Sequence, residues 1–245
     1  MEILNKLDKL LQDREGKEKT HHYPTDAESC VLKLFNDWHG VEVTDPFDLT
    51  GIWKMEMGNA IHEQIDVRLK EIYDDVQTEV PFRADIGLKH ELSGRMDNII
   101  DQVHGVEIKS SFGRGIVDIQ KKGEPKPEHI GQVALYLKYS GIEFEDFTIL
   151  YMGRDSGYRT EFTISSVEDS YIEAIVDRFR IAEGDVAPDR EFKSCIVNGE
   201  FKRDFTHLKE KYKGDWQCNY CKYRTSCWSD ILAKQGKFIG EEKIV

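Results

Sequence analysis

The spacing of apolar positions changes several times along the chain, and each change predicts an element. Residues 1–20 mix short apolar positions with many charges, the pattern of a frayed helix or arm. Thr25-Asp26-Ala27-Glu28 is a capping box: a Thr hydroxyl accepts from the first turn while Glu reaches back, which predicts a helix opening there and places Cys30 in its first turns. Trp53, Met57, Ile61, Ile65, Leu69 and Ile72 recur at spacings of three and four and predict an amphipathic helix over 53–73, with His62 beside the stripe. Over 76–111 the period drops to two, and three runs separated by turn residues predict three antiparallel strands. The stretch 113–127 holds Gly, Lys and Pro without a period and is expected to be a loop. A helix follows over 128–139, with Ile130, Val133 and Leu137 on one side and Gln132 and Tyr136 on another. Strands over 146–152 and 158–164 and a helix over 167–182 complete the periodic part.

Within this frame the segment Glu107-Ile108-Lys109 carries the most chemistry. Residues i and i+2 of a strand face the same side, so a carboxylate and an ammonium share one pocket. Glu-x-Lys also occurs at Glu15, Glu124, Glu191, Glu200 and Glu241, but only the copy at Glu107 lies in an alternating strand between an upstream acid and a helix bearing an amide and a phenol. The upstream acid is Asp97, which a hairpin about 101–105 brings near Glu107. Two carboxylates so close repel unless a cation lies between them, and magnesium or manganese is the expected occupant. His62 adds a ligand type that suits manganese, with Asp85, Glu63 and His129 as neighbouring alternatives. Such a site suits phosphodiester hydrolysis: the ion neutralises a phosphate and acidifies a water, while lysine stabilises developing charge. Gln132 and Tyr136, four apart on one helix face, are placed to hold the phosphate or base.

Four of the five cysteines form a second pattern, with Cys30 early and Cys218, Cys221 and Cys227 in the late run C-N-Y-C-K-Y-R-T-S-C. Four thiolates close either a zinc site or an iron-sulfur cluster. The odd count and the charged residues from Glu2 onward argue against a disulfide framework and predict a reducing cytoplasm. Cys195 reads as an ordinary strand residue.

Composition alters this picture only in part. Charged residues make up 33% of 245, and the formal charge of -12 disfavours nucleic acid on its face, although carboxylates gathered around metals can produce the same sign. From Arg190 to Arg224 nine basic residues (Arg190, Lys193, Lys202, Arg203, Lys209, Lys211, Lys213, Lys222, Arg224) outnumber five acids, a local cationic strip. No apolar run approaches a membrane span. There is no phosphate-binding G-x-x-x-x-G-K-[ST] loop, so a built-in ATPase motor is not expected.

G-N-A-I-H at His62, G-R-M-D at Asp97, E-I-K at 107–109, Q-V-A-L-Y at 132–136 and the one-plus-three cysteines together resemble the RecB-like PD-(D/E)XK nucleases that carry an iron-sulfur cluster. CRISPR-associated nucleases, their phage-encoded relatives and the nuclease portion of AddB-type proteins share this order. The resemblance spans about residues 23–229, and Met96 stands where the signature has proline. It implies an α/β, restriction-endonuclease-like core with a mixed central sheet flanked by helices, and three parts: an arm over 1–22, a nuclease core over 23–185 and a cluster-binding segment over 186–245. It further implies metal ligands His62, Asp97 and Glu107, a catalytic Lys109 assisted by Gln132 and Tyr136, and a [4Fe-4S] cluster on Cys30, Cys218, Cys221 and Cys227 joining the N-terminal helix to the C-terminal segment. The activity implied is a Mn2+- or Mg2+-dependent DNA exonuclease, cytoplasmic, with DNA and CRISPR-adaptation or recombination proteins as partners and no membrane. Two other readings remain: a nucleic-acid-binding module with a four-cysteine zinc site and no cleavage, and a hydrolase of small phosphates.

Overall fold

The computed structural model describes residues 3–12, 19–197, 199–201, 214–233, 237–239 and 242–244. In chain order the helices are α1 (Ile3–Gln12), α2 (Val31–Trp38), α3 (Leu49–Ile72), α4 (Gly113–Lys122), α5 (Pro127–Tyr139) and α6 (Asp169–Ala182). The strands are β1 (Val76–Ala84), β2 (Leu92–Ile100), β3 (His104–Ser111), β4 (Asp146–Gly153), β5 (Arg159–Ile164), β6 (Cys195–Val197), β7 (Glu200–Phe201), β8 (Lys237–Ile239) and β9 (Glu242–Ile244). The chain divides into two compact units, one of Met1–Glu28 with Asp48–Phe179, the other of Ser29–Phe47 with Arg180–Val245.

The first unit is built on a five-stranded mixed sheet in the order β1-β2-β3-β4-β5. The pairs β1/β2, β2/β3 and β4/β5 are antiparallel, as short turns allow. β3 and β4 are parallel, which requires a crossover, and α4 and α5 supply it. β1 is an edge strand and therefore tolerates Pro81, which has no N–H for an outer neighbour. Even-numbered Ile100, Val106 and Ile108 point to one face and bury against Ile61, Ile65 and Leu69 of α3. Burying a side chain such as the fully enclosed Ile108 is worth about 1.5–3 kcal/mol, so this cluster sets how α3 lies on the sheet. Odd-numbered Glu107 and Lys109 are thereby turned to the opposite face.

Three expectations need correction. The 113–127 stretch contains a ten-residue helix, α4, whose Ile116 and Ile119 are buried at a spacing of three. Its N-terminal glycines mask that short stripe, while Gly123 ends it in the left-handed conformation (φ 73°), as a helix C-cap favours. The capping box opens only a 3-10 turn, Pro24–Asp26, without a side-chain cap; Glu28 instead accepts from the Tyr171 hydroxyl at 2.8 Å. The following helix, α2, begins at Val31, so Cys30 stands at its N-cap position rather than within it. Finally, the α3 stripe is only partly covered: Trp53, Ile61, Ile65 and Leu69 are half-buried, while Met57 and Ile72 are 53% and 70% exposed.

The segment before the 3-10 turn runs along β2. The His22 N–H donates to the Glu91 carbonyl at 2.9 Å, and the Ser93 N–H donates to the His22 carbonyl at 2.9 Å. Close approach is possible because residue 94 has no side chain: a Cβ there would lie 2.9 Å from Pro24 Cδ and 3.2 Å from Phe82 Cε1. Neither ring can yield easily. Gly94→Ala is expected to destabilise the protein by about 1–3 kcal/mol in urea unfolding, the usual cost of overpacking. An unchanged midpoint would show that the strap is free to move.

In the second unit, β6 pairs antiparallel with β7 and β8, and β8 with β9. One of its buried clusters consists of Ile196, Trp228 and Ile231 with Phe201, Cys227 and Leu232 against them, and Val31, Leu34, Phe35 and Tyr223 are buried as well. Cys195 lies in β6 and is fully buried, as expected of a strand residue. Of the cationic strip, Lys202, Arg203, Lys209, Lys211 and Lys213 lie outside the described residues. Among the described residues no helix is long and apolar enough to cross a membrane.

Candidate active site

The β2–β3 hairpin positions the two acids. Asn98 lies opposite Val106, Ile99 opposite Gly105 and Ile100 opposite His104, and the same register carried one step further sets Asp97 against Glu107. The ladder stops at that point. In place of a strand carbonyl, Asp97 Oδ2 accepts the Ile108 N–H at 2.7 Å, so a carboxylate is wedged into the split between the strands. Asp101 and Gln102, both in the left-handed region (φ 49° and 65°), form the turn that fixes this register.

Glu107 is 2% exposed. Its Oε1 accepts from Lys109 Nζ at 2.6 Å and from Gln132 Nε2 at 2.7 Å. Its Oε2 is buried without a hydrogen-bond partner, and a carboxylate oxygen left so demands a cation or a proton. Burial, with the Asp97 charge added, raises the Glu107 carboxyl to about 7 against the opposing pull of Lys109. His62, from α3, places Nδ1 3.5 Å from Asp97 Oδ2. Burial works to lower its pKa, but the hydrogen bond and charge of Asp97 outweigh that and hold the imidazole above its ordinary value. Among the described residues no three His, Cys, Asp or Glu side chains already surround a common point as a coordination sphere. The donor types nevertheless suit a hard divalent ion, because the His62 imidazole faces the Asp97 carboxylate and one oxygen of the nearby Glu107 has nothing else to bind.

The amide and phenol complete a chain of hydrogen bonds. Lys109 Nζ donates to Gln132 Oε1 at 2.8 Å, Gln132 Nε2 donates to the Tyr136 hydroxyl at 2.8 Å, and that hydroxyl donates to the Arg95 carbonyl at 2.9 Å. Burial and the Glu107 charge push the Tyr136 phenol well above its usual range, so it acts as a neutral strut. All six residues named from the sequence in and around this pocket are therefore brought together. Asp85 is not; it accepts from the Gly87 N–H in the turn after β1. His129 is engaged by the Tyr151 hydroxyl at 2.7 Å, and burial beside Lys109 and Lys126 drives its pKa down to about 2.

Asp66 was not singled out by sequence. Its Oδ1 accepts from Asn98 Nδ2 at 2.6 Å, and the same amide also donates to the Asp97 carbonyl. This pair fastens α3 to β2 beside the acid that His62 faces. The available signal was the four-residue step from His62 to Asp66, which puts both on one helix face. The whole site opens into a groove of about 810 Å3, lined also by Tyr23, Asn59, Arg83 and Arg95.

The second unit gathers Cys30, Cys195, Cys218, Cys221 and Cys227, with no disulfide among them. Each of the six pairs among Cys30, Cys218, Cys221 and Cys227 is close enough for charge on one thiol to raise the pKa of another. Burial is the larger cause and, with that repulsion, lifts Cys218 to about 12 and Cys221 to about 11. The surrounding protein enforces the approach. Asp37 of α2 accepts from Tyr223 Oη and Lys222 Nζ, both at 2.8 Å, and from Lys33 Nζ at 3.0 Å. Asp45 accepts from the Thr225 N–H at 2.7 Å and its hydroxyl at 2.8 Å.

Over 92% of this chain and 96% of the other, the fold resembles the crystal structure of SSO0001, with a TM-score of 0.61 at 20% identity. The alkaline exonuclease LHK-Exo from Laribacter hongkongensis matches 67% of this chain and 87% of its own, with a TM-score of 0.49 at 14% identity. A crystal structure of LHK-Exo in complex with dAMP matches 66% and 86%, with a TM-score of 0.49 at 15% identity. At such identities the likeness to SSO0001 is one of fold. No protein-family model and no curated protein matches the sequence.

Proposed function

We propose that this chain is a metal-dependent deoxyribonuclease of the PD-(D/E)XK type, an exonuclease acting on single-stranded or end-containing DNA in CRISPR adaptation or in phage or recombination DNA processing. The observation that carries the reading is the orphaned Glu107 Oε2, buried beside Asp97 and His62 with an ammonium on the other oxygen of the same carboxylate. His62, Asp97 and Glu107 would hold Mn2+ or Mg2+, which when bound neutralises a phosphate and acidifies a water. The remaining work falls to the chain. Lys109 presents a positive charge where a phosphate oxygen gains negative charge, and it arrives oriented because two acceptors, Glu107 Oε1 and Gln132 Oε1, fix it. Tyr136, through Gln132, keeps that amide turned with its oxygen toward lysine.

End-labelled single- and double-stranded DNA digested with Mn2+ tests the reading. Wild type is expected to release nucleotides from an end, and Asp97→Ala to be slower by about a hundredfold or more, the scale of losing one preorganised charge contact at the reacting centre. DNA bound but left intact by wild type with either metal, on linear and nicked substrates, would replace the nuclease with the zinc-containing binding module.

A further inference from the structure

The groove that holds His62, Asp97 and Glu107 is lined also by residues the hydrolytic chemistry does not use. The strap bearing Tyr23 is fixed by the backbone bonds of His22 to β2 and by the Asp26 N–H, which donates to the Tyr23 carbonyl at 2.9 Å. Tyr23 is 39% exposed, and the His21 ring buttresses it at 4.5 Å between centroids, tilted by 58°. The same groove is lined by Arg83 on β1 and Arg95 on β2, their side chains 70% and 69% exposed. Arg83 meets Glu91 only at 3.9 Å, and Arg95 meets Glu79 at 3.0 Å. Exposed pairs of this kind are weak, so either guanidinium can turn to a phosphate at little cost.

An anchored aromatic face, two solvent-facing guanidinia and an adjacent site for a scissile phosphate match one chemistry. Resting on the nuclease reading above, we infer that Tyr23, Arg83 and Arg95 form a subsite for the nucleotide flanking the cleaved bond, its base unstacked onto the Tyr23 ring and its phosphate held by the two arginines. A base still inside a duplex has no free face to offer Tyr23. The subsite therefore selects single-stranded or frayed ends over blunt ones. It also reconciles the acidic chain with a polyanionic substrate: attachment depends on a few local contacts and stacking rather than on long-range charge.

The test is fluorescence anisotropy of a short labelled oligothymidylate and a blunt duplex of equal length, with calcium replacing manganese to keep the strand intact. Tyr23→Ala is expected to weaken single-strand binding on the order of tenfold, as loss of one base stack does, and to shrink the preference over the duplex. Tyr23→Phe keeps the ring and stays within about twofold of wild type. Arg83→Gln, on the surface and without a packing role, lowers the slope of log affinity against log salt by about 0.7, the value for one phosphate contact on a single strand. If wild type binds and cuts the strand while Tyr23→Ala binds it equally well, the subsite is wrong and the nuclease stands. If wild type neither binds nor cuts any DNA, the nuclease reading fails and the subsite goes with it.

Discussion

Lys109→Ala is expected to cut end-labelled DNA about 10^2–10^3-fold more slowly than wild type with manganese saturating, while remaining folded. The size of the loss follows from where the ammonium sits. It lies 2.6 Å from a carboxylate that is 2% exposed, in surroundings where a fixed charge is screened far less than in water. Glu107 survives the substitution by taking a proton. Lys109 is the main influence holding its pKa down, so without the lysine the carboxyl rises further and stays neutral at pH 7 in the metal-free protein. The stability consequence has a definite sign. Because the folded carboxyl is raised from 4.5 to about 7, its contribution is fully present below 4.5 and is lost as pH climbs through about 7 in wild type. In Lys109→Ala that loss moves to higher pH. Urea unfolding of metal-free protein across this window, alongside the cleavage assay, checks both parts, and wild-type cutting by the purified variant would remove lysine from the chemistry.

The acidic pocket was legible in the sequence because strands count in twos. Once 76–111 reads as a hairpin meander, Asp97 must face Glu107, and Lys109 must share the side of Glu107, whatever the rest of the chain does. Gln132 and Tyr136 follow from the helical period. What sequence could not give is anything set by packing between distant segments. Arg95 joins the site through its backbone carbonyl, which carries no side-chain signature. Asp66 matters because Asn98 of β2 reaches it on α3, and Tyr23 gains its platform because Gly94 lets the strap approach. α4 was missed for a different reason. Two buried isoleucines are too short a stripe to outweigh the glycines at its start, and the parallel β3/β4 pairing that demands a crossover becomes visible only in the fold.

Anaerobically isolated protein is expected to be brown, with broad visible absorption that bleaches on reduction, and Cys218→Ser to lose both colour and iron. The cause is an electrostatic conflict. Four thiols are held together by contacts that do not involve sulfur, those of Asp37 with Tyr223 and Lys222 and of Asp45 with Thr225. Burial and mutual repulsion raise the thiol pKa values, and a bound metal centre would offset that by taking the four as thiolates. Because the four cysteines come from both ends of the unit, Cys30 before α2 and the other three after residue 217, a metal centre on them is expected to add to its stability. Losing it should cost this unit at least as much as a native disulfide does, about 2–5 kcal/mol, and limited proteolysis of Cys218→Ser should cut first within 180–245. Cys195→Ser separates ligation from general damage to the unit. Cys195 is fully buried in β6 and is not one of the four thiols expected to ligate, so colour and iron content should match wild type. A colourless wild type with one bound zinc would keep the four-thiolate site and discard the cluster; full iron and colour in Cys218→Ser would discard the site itself.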